Sequence, residues 1–281
     1  MRTQSLDIQY KTPEQLTKMR DAGLVVAAAL AKLRDAVAPG VSTGDLDALA
    51  EATIREAGAV PSFKGYHGFP ATICSSVNEQ IVHAIPSPKQ VLRAGDVISI
   101  DCGAILDGWH GDAAVTVGVG GIDPKVTRMI RVAEDAMWAG IEAAARATLS
   151  GRGRLTDISA AIEAAIRAGG RYGIVRGYGG HGIGTEMHQD PHVLNYGRPG
   201  KGPRLVPGLA LAIEPMLTLG SPDTVELTDG WTVITRDRST AVHVEHTVAF
   251  FADGVLVTTA EDGGRERLGD LVTAAARVRS S

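Results

Sequence analysis

The sequence predicts an α+β fold of two similar halves related by a pseudo-two-fold axis, with an antiparallel β-sheet backed by helices. Three observations predict it. The apolar run Val97-Ile98-Ser99-Ile100 ends in Asp101, and a turn signal, Asp107-Gly108, precedes Asp112 and a second strand-like run over 113–119. Such runs around such a dipeptide read as a buried hairpin. The pattern then returns: Leu92 to Asp101 matches Leu205 to Glu214, with the acid nine positions after the Leu in both, and His110-Gly111-Asp112 matches His243-Val244-Glu245. Finally, the helical stretches 42–58 and 155–169 resemble each other. Two copies of so long a repeat make two halves rather than a solenoid.

The 281 residues carry a formal net charge of −4, which leaves no electrostatic footprint for nucleic acid. Cys74 and Cys102 have neither metal-ligand spacing nor the look of a disulfide framework, so a reducing compartment fits. The N-terminus lacks a signal-peptide core, and the longest apolar run, Leu24 to Ala31, is too short to span a bilayer. A cytoplasmic protein is expected. Because the halves share one predicted site, residues 12–258 are expected to form a single domain, with halves at about 12–122 and 123–258. Residues 1–11 are an N-terminal extension and 259–281 a C-terminal tail.

Thr12-Pro13-Glu14-Gln15 is a helix start with a capping box, and Leu16, Met19, Ala22, Val26, Leu30 and Leu33 follow at helical spacing. Pro39-Gly40 ends that helix, and Ser42-Thr43 opens the next, closed by Gly58. Residues 61–70 form a turn-rich aromatic segment that reads as a packed loop or as the lining of an apolar pocket. Ile73–Val77 and Ile81–His83 read as short strands. A long helix starts at Asp123-Pro124 and runs to about Ala147, and Thr156 is expected to cap its shorter partner. The glycines of 177–184 match a dinucleotide-loop pattern, but Pro191 argues against the following helix that such a loop needs; they suit close backbone passage by a site. Residues 195–208 form a loop, 219–240 a polar hairpin carrying Trp231, and the strand with Glu245 ends at Phe251. Residues 268–277 resemble a short surface helix, and Arg265, Arg267, Arg277 and Arg279 read as a solvated face.

If the halves pack about their pseudo-axis, Asp101 faces Glu214 and Asp112 faces Glu245. Buried carboxylates need protons or cations, and four converging acids point to metal. With one of His181 and His188 as a further ligand, the donor set is mostly oxygen. It suits Mn, Fe, Co or catalytic Zn rather than a closed structural zinc site. Four negative charges nearly balance two divalent ions, which act together in two-metal hydrolases.

These residues resemble a known family. Ile100-Asp101, 107–112, 180–184, 212–216 and 243–247 are similar to the signatures of type I methionine aminopeptidases, and 65–70 and 229–233 match as well. The likeness keeps its order and spacing over roughly residues 10 to 258. It implies the pita-bread fold and two divalent ions: Asp101 chelating one, His181 and Glu214 holding the second, Asp112 and Glu245 bridging. By the same resemblance Glu214 takes a proton from the attacking water, His188 donates to the scissile carbonyl, and His83 contacts the next peptide nitrogen. Tyr66, Phe69, Cys74 and Trp231 line a pocket for methionine. Three positions depart from the family's pattern. Phe63 replaces a small Cys common in bacterial members, Met187 an aromatic, and Gly103 a hydroxyl residue; these bear on pocket shape, not on the metal set.

The resemblance implies removal of N-terminal methionine from nascent chains when the second residue is small, by a monomer transiently at the ribosome. By that rule Met1, followed by the bulky Arg2, should stay. Proline-directed relatives share the five ligands but carry a sizeable extra N-terminal domain. A non-enzymatic module on the same scaffold usually loses ligands, and here all five are present.

Overall fold

A computed structural model describes residues 6–277; Met1, Arg2 and Arg279 lie outside them. Among the described residues the α-helices are α1 (Pro13–Ala36), α2 (Thr43–Glu56), α3 (Pro124–Ser150), α4 (Leu155–Gly169) and the single turn α5 (Arg265–Leu268). The strands of the first half are β1 (Val60–Pro61), β2 (Ile73–Val77), β3 (Gln80–Val82), β4 (Val97–Leu106) and β5 (Trp109–Gly118). Then come β6 (Gly173–Ile174), β7 (Gly180–Gly182), β8 (Gln189–Val193), β9 (Ala210–Ile213), β10 (Met216–Thr218), β11 (Thr224–Glu226), β12 (Val233–Thr235), β13 (Ala241–His243), β14 (Glu245–Phe251) and β15 (Gly254–Val257).

The main sheet runs β1-β4-β5-β14-β9-β7-β8, with β2 also on β4 and β15 also on β14; β13-β10-β6 and β11-β12-β3 form two smaller sheets. The ladders are antiparallel, as the sequence predicts. Each half supplies a helix pair, α1 with α2 and α3 with α4, and a strand pair. The halves join where β5 meets β14, Ala114 opposite Glu245 and Ala113 opposite His246. That short ladder is reinforced by Thr247, whose Oγ1 donates to the Asp112 carbonyl at 2.7 Å and accepts from the Asp112 N–H at 3.2 Å.

Local chemistry explains the helices. Thr12 Oγ1 accepts from the Gln15 N–H while Gln15 Oε1 accepts from the Thr12 N–H, a capping box worth about 1 kcal/mol. Ser42 and Asp45 repeat the device for α2. The cap of α4 differs from the sequence expectation. Arg154 occupies the cap, Asp157 reaches back to its N–H at 2.8 Å, and Thr156 is spent on Lys201, which it bonds in both directions. α3 extends through Ser150 and stops at Gly151, whose φ of 64° is left-handed.

Two apolar cores flank the main sheet. One lies under α3 and α4, with Phe250, Leu211 and Ile162 fully buried; the other lies under α1 and α2, with Leu33, Ile54 and Ile100. α1 comes close enough that a Cβ on Gly111 would sit 2.7 Å from the Gly23 backbone nitrogen, so Gly111 stays glycine and β5 is held against α1 one residue from Asp112; a Cβ on Gly23 would instead meet the Thr258 backbone. In the C-terminal segment, Leu268 and Val272 are buried in the first core. Arg267 is not merely solvated: it pairs with Asp135 at 2.8 Å and lies over the Trp138 ring.

Candidate active site

Sheet register places the acids. Asp101 and Glu245 both lie opposite Ala114, one on each neighbouring strand, and Asp112 is two residues before Ala114. Directly opposed residues share a face, as do residues two apart, so all three carboxylates project from one face of the main sheet. Glu214 arrives from a break. β9 stops at Ile213, Glu214-Pro215 is unpaired, and the chain resumes in a different sheet as β10. β13 and β14 switch sheets in the same way, at Val244. The two switch points bring Glu214, His243 and Glu245 together within 4.8 Å of one another. Asp112, His181 and Glu245 form a second group of the same tightness.

A cavity of about 450 Å³ opens over this floor, and every candidate ligand, catalytic and pocket side chain named from the sequence lines it. Asp101, Asp112, His181, Glu214 and Glu245 are at its base. His83 and His188 flank them, and Phe63, Tyr66, Phe69, Cys74, Met187 and Trp231 form an apolar sleeve. Phe69 and Trp231 meet edge to face at 5.0 Å. The expected facing of Asp112 and Glu245 is present, and Asp101 lies near enough to Glu214 for the two charges to repel.

The electrostatics are those of a buried acid cluster. Burial pushes the Asp101 carboxyl up to about 7, with Glu214 adding to the rise and His243 opposing it. Burial also holds Asp112 and Glu245 well above the ordinary carboxylate range, each raised further by neighbouring carboxylates, Asp101 foremost for Asp112 and Asp112 foremost for Glu245. Burial alone would raise Glu214 too, but the His243 imidazole 3.2 Å away, with His181 and His188 nearby, brings it below its usual value. Asp101 Oδ1, Asp112 Oδ1 and Glu245 Oε1 are buried without any hydrogen-bond partner. Orphaned carboxylate oxygens in one cavity are costly unless ions satisfy them, and carboxylates with one imidazole suit divalent ions, so the residues present fit a metal pair.

Burial disfavours the charged form of three histidines here, whereas the Glu214 and Asp101 charges outweigh burial and raise His243. Burial, with His181 nearby, pushes His188 down to about 4, and burial lowers His83 and His181 as well. His188 Nδ1 lies 2.8 Å from the Tyr66 hydroxyl, and its ring stands edge-on to His181 at 4.4 Å. His83 holds a left-handed backbone, φ 59°, against Tyr178 and Trp231.

Two contributors escape sequence reasoning. Asn195, in what the sequence reads as a plain loop, is 1% exposed and donates to the Glu214 carbonyl at 3.0 Å, fixing the unpaired residue. His243 is 2% exposed with Nε2 3.2 Å from Glu214 Oε2. Its only sequence signal is its place in the second copy of the repeat, opposite His110.

An antiparallel two-halved scaffold with paired acids at its centre defines a metallopeptidase. Residues 17–251 match the model of metallopeptidase family M24, and the chain belongs to that family. Within it, the chain is one of the methionine aminopeptidases and a metal-dependent aminopeptidase. It is 52% identical over 257 residues to methionine aminopeptidase 1 of Mycobacterium tuberculosis, covering 90% of this chain and 95% of that one. The crystal structure of methionine aminopeptidase from Rickettsia prowazekii superposes with a TM-score of 0.85 at 40% identity, covering 90% of this chain and all of that one. Prolidase from Pyrococcus furiosus, at 20% identity and a TM-score of 0.69, shares the pita-bread fold; this chain covers 65% of it. Among the described residues no helix is long and apolar enough to cross a membrane.

Proposed function

We propose that this chain removes the N-terminal methionine from peptides and nascent proteins, preferring a small second residue, with two divalent ions held by Asp101, Asp112, His181, Glu214 and Glu245. The observation that carries the reading is the single cavity shared by the acid cluster and the apolar sleeve. An unbranched thioether side chain fills such a sleeve, which places the first peptide bond over the acids. When bound, the ions activate water and polarise the carbonyl.

The chain's own groups do the rest. Glu214 takes a proton from the attacking water through a carboxylate oxygen. With the Tyr66 O–H donating to Nδ1, the neutral His188 ring carries its proton on Nε2 and donates it in a hydrogen bond to the carbonyl oxygen as charge builds there. His83 contacts the nitrogen of the following peptide bond. Steric confinement beyond the sleeve discriminates the second side chain. The reading includes work in the cytoplasm as a monomer, transiently at the ribosome, on chains whose N-termini have just emerged.

Chelated, metal-free protein supplied separately with Mn, Co, Fe or Zn and offered Met-Ala-Ser, Met-Arg-Ser, Gly-Pro and Xaa-Pro peptides tests this. Restored release of methionine from Met-Ala-Ser, with little from Met-Arg-Ser, is expected. Turnover of the proline peptides instead, or of nothing with any ion, would contradict it.

A further inference from the structure

His243 is a buried imidazole with no place in the ligand set. Its backbone is clamped on three sides: its N–H donates to Ser99 Oγ and Thr116 Oγ1, both at 3.1 Å, and its carbonyl accepts from Thr116 Oγ1 at 2.6 Å. The ring is therefore aimed by the first half of the chain at a carboxylate of the second. Nε2 lies 3.2 Å from Glu214 Oε2 and 4.0 Å from Glu245 Oε2. It is within reach of the nearer oxygen but makes no well-formed hydrogen bond to it.

We propose that His243 is a positioning residue: its Nε2–H donates to Glu214 Oε2 and thereby presents Oε1 to the ion shared with His181. Two observations favour this over direct ligation. The carboxylate is already divided, with Oε1 3.6 Å from His181 Nε2 and Oε2 turned to His243. Two ligand atoms each about 2.1 Å from one ion stand at a separation of that order. In addition, Glu214, His181, Asp112 and Glu245 line the cavity, whereas His243 is not in its wall and sits behind Glu214. Hydrogen bonds that orient ligating carboxylates from behind are a recurrent device for tuning ion affinity.

The inference rests on the reading that Glu214 and His181 hold one ion, so its test separates the two claims. Metal-free wild type, His243→Leu, His243→Gln and Glu214→Ala are titrated calorimetrically with Mn²⁺ and followed by Co²⁺ absorption. His243→Leu is expected to weaken one of the two binding events roughly 10–100-fold and leave the other unchanged. His243→Gln, which keeps an N–H donor, is expected to restore most of that loss. Wild-type affinity for both ions in His243→Leu overturns the proposal, as does equal weakness of His243→Gln and His243→Leu with an intact circular dichroism spectrum. A Co²⁺ spectrum of His243→Gln that reports an imidazole lost from the ion's shell also overturns it, because His243 is then a ligand. If Glu214→Ala binds both ions as the wild type does, it is the ligand assignment that fails.

Discussion

Gly103 and Phe63 occupy one volume. A Cβ on Gly103 would come within 2.7 Å of Phe63 Cε1 and 2.9 Å of Ser62 Cβ, so the phenyl ring reaches the apolar sleeve because strand β4 has no side chain there. The Ser62 N–H, donating to the Gly103 carbonyl at 2.9 Å, pins the two segments together. Gly103→Ser is therefore overpacked, at a cost of about 1–3 kcal/mol. Phe63→Cys relieves it, so the double variant is expected to melt above Gly103→Ser alone. Additive losses in the two single variants would mean the positions are uncoupled.

His188 is expected to act as a neutral donor. Its pKa, pushed down to about 4 by burial and by His181, leaves the ring uncharged across the working range. His188→Ala should lower kcat roughly 10²–10³-fold, the loss typical of one oxyanion donor, with both ions still bound. A fall in activity at low pH, from protons competing with the ions for the carboxylates, is expected equally in the variant and the wild type. Tyr66→Phe removes the 2.8 Å contact to Nδ1 and is expected to cost about 1 kcal/mol, roughly fivefold in kcat. Loss of ion binding in His188→Ala would move this residue into the ligand set.

Metal-free protein should lose stability as pH rises above 6.5. Asp101 is raised by burial to about 7, and Asp112 and Glu245 are raised well above the usual range by burial. His243 is also raised: burial lowers it, but the Glu214 and Asp101 charges outweigh burial. In every case the folded state keeps protons that the unfolded chain has released, so stability is full at low pH and declines through the folded-state pKa values. His110, His188 and His246, lowered by burial to about 4, and His83 and His181, also lowered by burial, have the opposite sign, but their effect levels off within about one unit above pH 6.5. Thermal melts of chelated protein should therefore show Tm falling from pH 6.5 to 8. Saturating Mn²⁺ should remove the fall, and a flat Tm without metal would show that the acids are not burdened in this way.

Much of this site was legible because each acid terminates or opens an apolar run and the pattern occurs twice. Asp101, Asp112, Glu214 and Glu245 announce themselves as charges where burial is expected, and a duplicated scaffold gives them a meeting point. What local pattern could not supply is long-range pairing. The Phe63–Gly103 fit depends on strand β1 lying on β4, 40 positions apart in the chain. His243 acquires its surroundings from Ser99 and Thr116, more than 120 residues away. The α4 cap misled because Thr156 is the better capping residue by type, whereas Asp157 secures the preceding N–H and Lys201 claims the Thr156 hydroxyl.

Whether buried acids from both halves bind paired ions on one floor is decided by anomalous diffraction from crystals of the Mn²⁺-loaded protein. Two anomalous peaks are expected in the cavity, roughly 3.5–4 Å apart, one against Asp101, one against His181 and Glu214, and both against Asp112 and Glu245. A cavity without peaks, or peaks away from these five side chains, would contradict that arrangement.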